Sequence, residues 1–212
     1  MTRLDPSSYD ALVFDLGGVI LDLDFGATIS AFSRLSGADA SHLYTQTRQV
    51  DLFDEFERGE IAPEAFRARL RERLQLGDGT SDVELDAAWN ALLGSIPEDR
   101  LQLLRRLKQE TRTFLLSNTN AIHIGQFLLD YGARHETAHG AWSDLFEKPL
   151  YSHELGARKP ERRIFDRVAE QFGLEPSRIV FIDDNADNVA AARDAGWRAE
   201  HHTPDRTLAG YF

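Results

Sequence analysis

Three short apolar runs, each broken off by a polar cluster, constrain this 212-residue chain more than anything else in it. Ala11-Leu12-Val13-Phe14 stops at Asp15, TRTFLL (111–116) stops at Ser117-Asn118, and RIVFI (178–182) stops at Asp183-Asp184. Runs of this kind, ended by a turn signal, suit strands buried on both faces. Gly17-Gly18 follows Asp15 at once, so the backbone there can turn tightly and approach a ligand closely. Stretches of helical period separate the runs, and that alternation predicts a parallel sheet with right-handed crossovers. In such a sheet the three polar ends lie along one edge, where open α/β sheets place their ligands.

The first run is followed by a long interval with no strand-like pattern. Ile29, Phe32 and Leu35 recur at helical spacing before Gly37, and the reading stays helical from Asp39 to about Gly94. Phe66, Leu70 and Leu74 form an i, i+4, i+8 stripe behind Pro63-Glu64. Ser81 to Glu84 reads as a capping box, and Ser95-Ile-Pro-Glu98 as a second one opening an amphipathic helix. The expectation is an α/β fold: a Rossmann-like parallel sheet with helices on both faces and an inserted α-helical cap. Residues 1–21 and 95–212 form the core in this reading, and residues 22–94 the cap. Beyond the second strand, residues 121–130 read as helix and 131–148 follow no clear period. A short strand is expected at 150–152, a helix at 161–172, an alanine-rich helix from Asn185 to Ala195 and a last strand near 197–200.

Composition removes several functions. A formal net charge of -11 argues against nucleic acid or an anionic membrane as partner. The absence of cysteine excludes disulfides, thiolate chemistry and cysteine metal ligands. No apolar run is long enough to span a membrane and nothing resembles a signal peptide, so a cytoplasmic protein is expected.

The strand ends then carry the chemistry. Facing carboxylates repel and stay ionised together only beside cations. Hard oxygen donors with no histidine cluster suit Mg²⁺. Lys159, within Gly156-Ala-Arg-Lys-Pro160, precedes a helix and can reach the same edge. Asp15 and Asp184 balance the charge of Mg²⁺, and Lys159 then leaves the site attractive to a phosphate.

The order Asp15, Ser117, Lys159, Asp183-Asp184 resembles the four motifs of the haloacid dehalogenase superfamily, most of whose members are Mg²⁺-dependent phosphatases. Five phrases look more closely like a bacterial subgroup that includes α-D-glucose-1-phosphate phosphatases: FDLGGVILDLDF, ERGEIAPEAF, LLSNTNAIH, LGARKPERRIF and FIDDNADN. The resemblance implies that Asp15 is a nucleophile forming an aspartyl-phosphate. It implies that Asp15, the Gly17 carbonyl, Asp184 and Asp183 (directly or through water) ligate Mg²⁺. Ser117, the Asn118 N–H and Lys159 would hold the phosphoryl oxygens, and Asp15, Ser117 and Lys159 form the catalytic set. The expected function is hydrolysis of a small phosphomonoester, with a sugar phosphate such as α-D-glucose 1-phosphate as substrate. A 2-haloacid dehalogenase and a non-catalytic protein binding a phosphorylated ligand are the rival readings.

Two departures from the superfamily pattern stand out. Most family phosphatases carry a second Asp two residues after the nucleophile as general acid and base; Gly17 occupies that position here, as in the glucose-1-phosphatase-like subgroup. Asn188 stands where many members have a further Asp. Asp22 and Asp24 are alternative proton donors, though a place in the linker to the cap suits them better. Glu55, Glu57 and Arg58 read as a solvated face, and His123 as a helix cap or a surface residue.

Overall fold

In a computed structural model of the protein, residues 3–41, 43, 51–77 and 79–212 are described. Along the chain these form β1 (Ala11–Phe14), α1 (Phe25–Ser36), α2 (Asp51–Glu57), α3 (Pro63–Leu74), α4 (Asp82–Asn90), α5 (Glu98–Glu110), β2 (Arg112–Ser117), α6 (Ala121–Arg134), α7 (Glu136–His139), β3 (Lys148–Tyr151), α8 (Ser152–Leu155), α9 (Arg162–Phe172), β4 (Ile179–Asp183), α10 (Ala186–Asp194) and β5 (Arg198–His201).

The five strands make one parallel sheet in the order β3-β2-β1-β4-β5, so the first strand in the chain lies at its centre. Alternate side chains face opposite layers. Leu12, Phe14, Leu115, Val180 and Ile182 pack under α5 and α6, against Leu101, Leu104 and Phe127. Val13, Phe114, Leu116, Ile179 and Phe181 pack under α9 and α10, against Ile164, Val168 and Ala192. Both faces are therefore covered by helices, which is why β1 and β4 are apolar almost throughout. Phe14 is level with Leu115 on one side and Ile182 on the other. The next residue of β1's path, Asp15, donates its backbone N–H to the Ile182 carbonyl at 2.9 Å and so falls beside Asp183.

Helices α1 to α4 gather round a third core of Phe32, Phe53, Phe56, Phe66, Leu70 and Trp89. The rings of Phe56 and Phe66 stack with centroids 4.1 Å apart, and those of Phe53 and Trp89 at 5.0 Å. Truncating one such aromatic to Ala costs about 3–5 kcal/mol. The capping box forms as read, with Ser81 and Glu84 exchanging side-chain and backbone hydrogen bonds. Among the described residues, no strand of the sheet lies between Phe14 and Arg112. The helical expectation also spanned 42, 44–50 and 78, which lie outside the described residues.

The chain leaves for these helices and returns from them along a narrow two-stranded neck. Leu23 and Leu93 form an isolated antiparallel bridge. Asp24 N–H donates to the Leu92 carbonyl (2.9 Å), Gly94 N–H to the Asp22 carbonyl (3.0 Å) and Asp22 N–H to the Ser95 carbonyl (3.0 Å). That pairing accounts for a correction. The second capping box does not form: α5 begins at Glu98 behind Pro97, with no side-chain cap, because the Ser95 backbone is drawn into the neck instead. Residues 131–148 are also more ordered than their pattern suggested. α6 runs on to Arg134, α7 follows, and a 3₁₀ turn over Trp142–Leu145 buries Trp142 against Phe127 and Tyr131. Among the described residues no helix is long and apolar enough to cross a membrane.

Candidate active site

The C-terminal ends of β1, β2 and β4 meet above the middle of the sheet, and the expected polar residues meet with them. Asp15, Gly17, Ser117, Asn118, Lys159 and Asp184 line one cavity of about 150 Å³. Asp183, the last residue of β4, sits behind the cavity wall with no exposed surface.

Lys159 is the hub. Its side chain is fully buried, and Nζ lies 2.7 Å from Asp15 Oδ1 and 2.6 Å from Asp183 Oδ2. Its backbone is pinned by Asn118, whose Nδ2 donates to the Lys159 carbonyl and whose Oδ1 accepts the Lys159 N–H, each at 2.8 Å. Asp183 in turn is saturated. Oδ1 accepts from the Asn185 N–H at 2.8 Å and from Asn188 Nδ2 at 3.0 Å, while Oδ2 accepts from Lys159 and from Asn188 Nδ2 at 3.1 Å. The amide at position 188 is thereby explained: it donates to a buried carboxylate that a second carboxylate would repel. The Ser117 hydroxyl, at the last position of β2, makes a long 3.4 Å contact to the Asn118 carbonyl.

The two glycines after Asp15 have different reasons. Gly18 adopts φ +72°, and a Cβ there would lie 2.2 Å from Asp184 Oδ2. The site needs glycine at that point both for the backbone and for the close approach of Asp184. Gly17 has no positive φ; a Cβ there would lie 2.5 Å from Leu23 Cδ1. Leu23 thus fills the space beside the position where a general acid would stand.

Three carboxylates cluster about one lysine, which pairs with two of them. Oxygens of Asp15, Asp183 and Asp184 lie within 4.8 Å of one another. Burial pushes the Asp15 carboxyl up to about 8; Lys159 opposes the rise, and the charges of Asp183 and Asp184 add to it. Burial works against the charge on Lys159 too, but Asp15 and Asp183 outweigh it and raise its pKa, so the lysine stays protonated. The surplus negative charge and the hard oxygen donors fit a divalent cation of the Mg²⁺ type. Asp15 and Asp184 face the cavity where such an ion would sit, whereas the oxygens of Asp183 are already engaged.

Other side chains depart from expectation. Glu57 is not on a solvated face: it is 6% exposed and lines the cavity. It accepts a 2.9 Å hydrogen bond from Arg158 Nε, and Arg158 Nη1 lies 2.8 Å from Asp54 Oδ1. Neither this buried role of Glu57 nor any role of Arg158 was foreseen, though Glu57 falls four residues after Phe53, on the inward face of α2. His123 is not at the surface. It stacks on Trp89 with centroids 4.3 Å apart, and Nδ1 lies 2.9 Å from Asn90 Oδ1. Burial pushes its pKa down to about 3, which keeps the ring neutral. Asp22 pairs with Arg100 at 2.8 Å, and Asp24 caps α1 by accepting the Ala27 N–H at 2.9 Å. Neither lines the cavity.

Comparison with known proteins agrees with this geometry. Residues 9–196 match the haloacid dehalogenase-like hydrolase family. The chain is 29% identical over 188 residues to the D-ribitol-5-phosphate phosphatase of Bacteroides thetaiotaomicron, covering 88% of each protein. It is 27% identical over 196 residues to a phosphatase of Mycobacterium tuberculosis, covering 91% of this chain and 86% of the other. A HAD family enzyme of B. thetaiotaomicron, crystallised with magnesium and inorganic phosphate, superposes with a TM-score of 0.82 at 32% identity, over 96% of this chain and 99% of that one. The L-2-haloacid dehalogenase of Xanthobacter autotrophicus shares the fold at 18% identity, with a TM-score of 0.61 over 93% of this chain and 80% of that one.

Proposed function

The chain belongs to the haloacid dehalogenase-like hydrolases, and from that premise we propose that it is a Mg²⁺-dependent phosphatase of small phosphomonoesters. The observation that carries the proposal is the cluster of three carboxylates, two of them buried and paired with a single lysine, at one partly enclosed cavity. A dehalogenase needs no such surplus of acid, because it has no cation to hold. The phosphatase relatives and the magnesium- and phosphate-bound neighbour point the same way.

In this reading the Asp15 carboxylate attacks phosphorus, the ester P–O bond breaks and the alcohol departs. Water then hydrolyses the aspartyl-phosphate and frees both Asp15 and inorganic phosphate. Lys159 neutralises phosphoryl oxygen and, tied to Asp183, cannot swing away. The Ser117 hydroxyl and Asn118 N–H hold the remaining oxygens. Mg²⁺, when bound, supplies charge neutralisation at the transferring group. Asp15, the Gly17 carbonyl and Asp184 would hold it; Asp183, whose oxygens already accept from Lys159, Asn185 and Asn188, would contribute its charge from behind them. Residues 22–94 serve as a cap that excludes bulk water from a core of residues 1–21 and 95–212.

The finer assignment concerns the ester. With Leu23 where an acid would need room, the leaving oxygen must depart with little help, which favours a weakly basic one. An anomeric sugar phosphate such as α-D-glucose 1-phosphate meets that need. The D-ribitol 5-phosphate of the B. thetaiotaomicron relative is a primary alkyl ester and is the competing choice. A panel of both ester types, assayed with Mg²⁺ and with excess chelator, tests the proposal. Mg²⁺-dependent release of phosphate is the expected result. Full activity in chelator, or release of halide from 2-haloacids without phosphatase activity, overturns it.

A further inference from the structure

The cavity carries a second charged group, opposite in origin to the first. Arg158 comes from the loop that supplies Lys159, but both of its acidic partners come from α2, in the cap. The guanidinium has only 18% of its side chain exposed, and Glu57 only 8%. Arg158 and Glu57 both line the cavity that Asp15 and Lys159 line. Among the described residues of that wall, Arg158 and Lys159 are the only cations, and each is already flanked by two carboxylates. His123, on the same wall, is a neutral ring.

The charge balance has a consequence for what can enter. A Mg²⁺ ion and Lys159 together carry three positive charges, which match the carboxylates of Asp15, Asp183 and Asp184 and leave the charge of the phosphate itself unmatched. Nothing is left over for a second anion, because Arg158 is outnumbered by Asp54 and Glu57. A substrate bearing a carboxylate or a second phosphate beyond its ester would meet a wall of net negative charge in a partly enclosed cavity, where such repulsion is stronger than in bulk water. Hydroxyl groups face no such penalty and can be accepted by the Glu57 carboxylate.

We propose that Glu57, paired with Arg158, is the residue that sets substrate class: it admits monophosphates with an uncharged, hydroxylated tail and rejects those with a second anionic group. This rests on the phosphatase reading above. Glu57 is a specificity residue and takes no part in the transfer of the phosphoryl group.

The test compares two esters with the same three-carbon primary alkyl framework, glycerol 1-phosphate and 3-phosphoglycerate, in the full chain with Mg²⁺. The wild-type ratio of kcat/KM should favour the neutral ester by at least about tenfold, the effect of roughly one unit of uncompensated charge in a partly screened site. Glu57→Gln keeps an acceptor for Arg158 but removes a charge, so the ratio should fall by about tenfold, mainly through KM for the acid. Arg158→Gln removes the cation and should move the ratio the other way, which gives a reading even where one variant folds poorly. A wild type that cleaves both esters equally, or ratios that stay within about twofold in both variants, overturns the inference. No hydrolysis of any ester by the wild type would instead refute the phosphatase reading beneath it.

Discussion

Gly17→Asp would install the carboxylic acid that this site lacks, and its outcome turns on Leu23. A carbon at the new Cβ position would stand 2.5 Å from Leu23 Cδ1, against about 3.5–4.0 Å for an unstrained contact. The leucine tip must therefore retreat by about 1 Å, and no rotamer of the aspartate avoids this, because the Cβ itself is at fault. Overpacking of this kind costs about 1–3 kcal/mol. The tip is the end of a flexible, half-buried side chain, which puts the expected loss toward the lower end. A general acid is worth about 10²- to 10⁴-fold, or roughly 3–5 kcal/mol of barrier, for a basic leaving group. Gly17→Asp alone should thus lose stability and recover only part of that rate, because the displaced leucine crowds the new acid. Adding Leu23→Ala should relieve the clash and let glucose 6-phosphate gain at least about tenfold relative to glucose 1-phosphate in kcat/KM. Steady-state kinetics on both esters, with urea denaturation of all four proteins of the cycle, separates the two effects. If the single and double variants gain equally, Leu23 is not the obstacle. If wild type already prefers glucose 6-phosphate, the leaving-group argument fails and another group supplies the proton.

Asp15→Asn should abolish turnover while the fold survives; phosphate release within tenfold of wild type would remove Asp15 from the nucleophile's role. The same variant carries a pH prediction for the Mg²⁺-free protein. Burial raises Asp15 from its ordinary value to about 8, so folding takes up a proton, and Asp15's contribution to stability is full at low pH and lost as pH rises toward 8. The stability difference between Asp15→Asn and wild type in chelator, measured by urea denaturation, should therefore widen in favour of the variant from pH 5 to pH 8. A flat difference would contradict the burial argument. Asp184→Ala should mimic chelation, and titration calorimetry should find Mg²⁺ binding weakened at least tenfold; undiminished binding would exclude Asp184 as a ligand. Gly18→Ala forces a side chain onto a left-handed backbone and against Asp184, and should cost at least about 1–3 kcal/mol in the same denaturation assay.

The parts of this fold that the sequence made legible are those fixed by one local pattern. β1, β2 and β4 are buried on both faces, so their apolar runs and abrupt polar ends were visible without any partner. Asp15, Ser117 and Asp183 were readable for the same reason: strand ends in a parallel sheet share an edge; Lys159, on the loop before α9, was readable from its place in the motif order. What stayed hidden depends on residues far apart in the chain. Glu57 meets Arg158 across 101 positions, and no period within α2 announces a cation on the other side of the cavity. The Ser95 pattern misled because its backbone is claimed by Asp22, a tertiary pairing that overrides a local capping signal. His123 was ambiguous on its helix and became a buried ring only once Trp89 of α4 lay upon it.

The neck between Asp22 and Ser95 makes the helical insertion a cassette. Its two ends are joined by backbone hydrogen bonds, and Gly94 packs so tightly on the Asp22 carbonyl that a Cβ would lie 2.6 Å from that oxygen. The core therefore spends almost no chain in reaching its guest, and the guest's aromatic cluster is built mainly from its own residues, with Ile122 and the His123 ring added from α6. Since the cost of closing a loop grows only slowly with its length, a short turn, or a different set of helices, could be spliced at the same two points with the sheet beneath unaltered. In the reading proposed above, chemistry and selectivity would in this way be written on largely separable pieces of one chain: the strand ends and the Lys159 loop would hold the reacting groups, and what is inserted at the neck would help decide what reaches them.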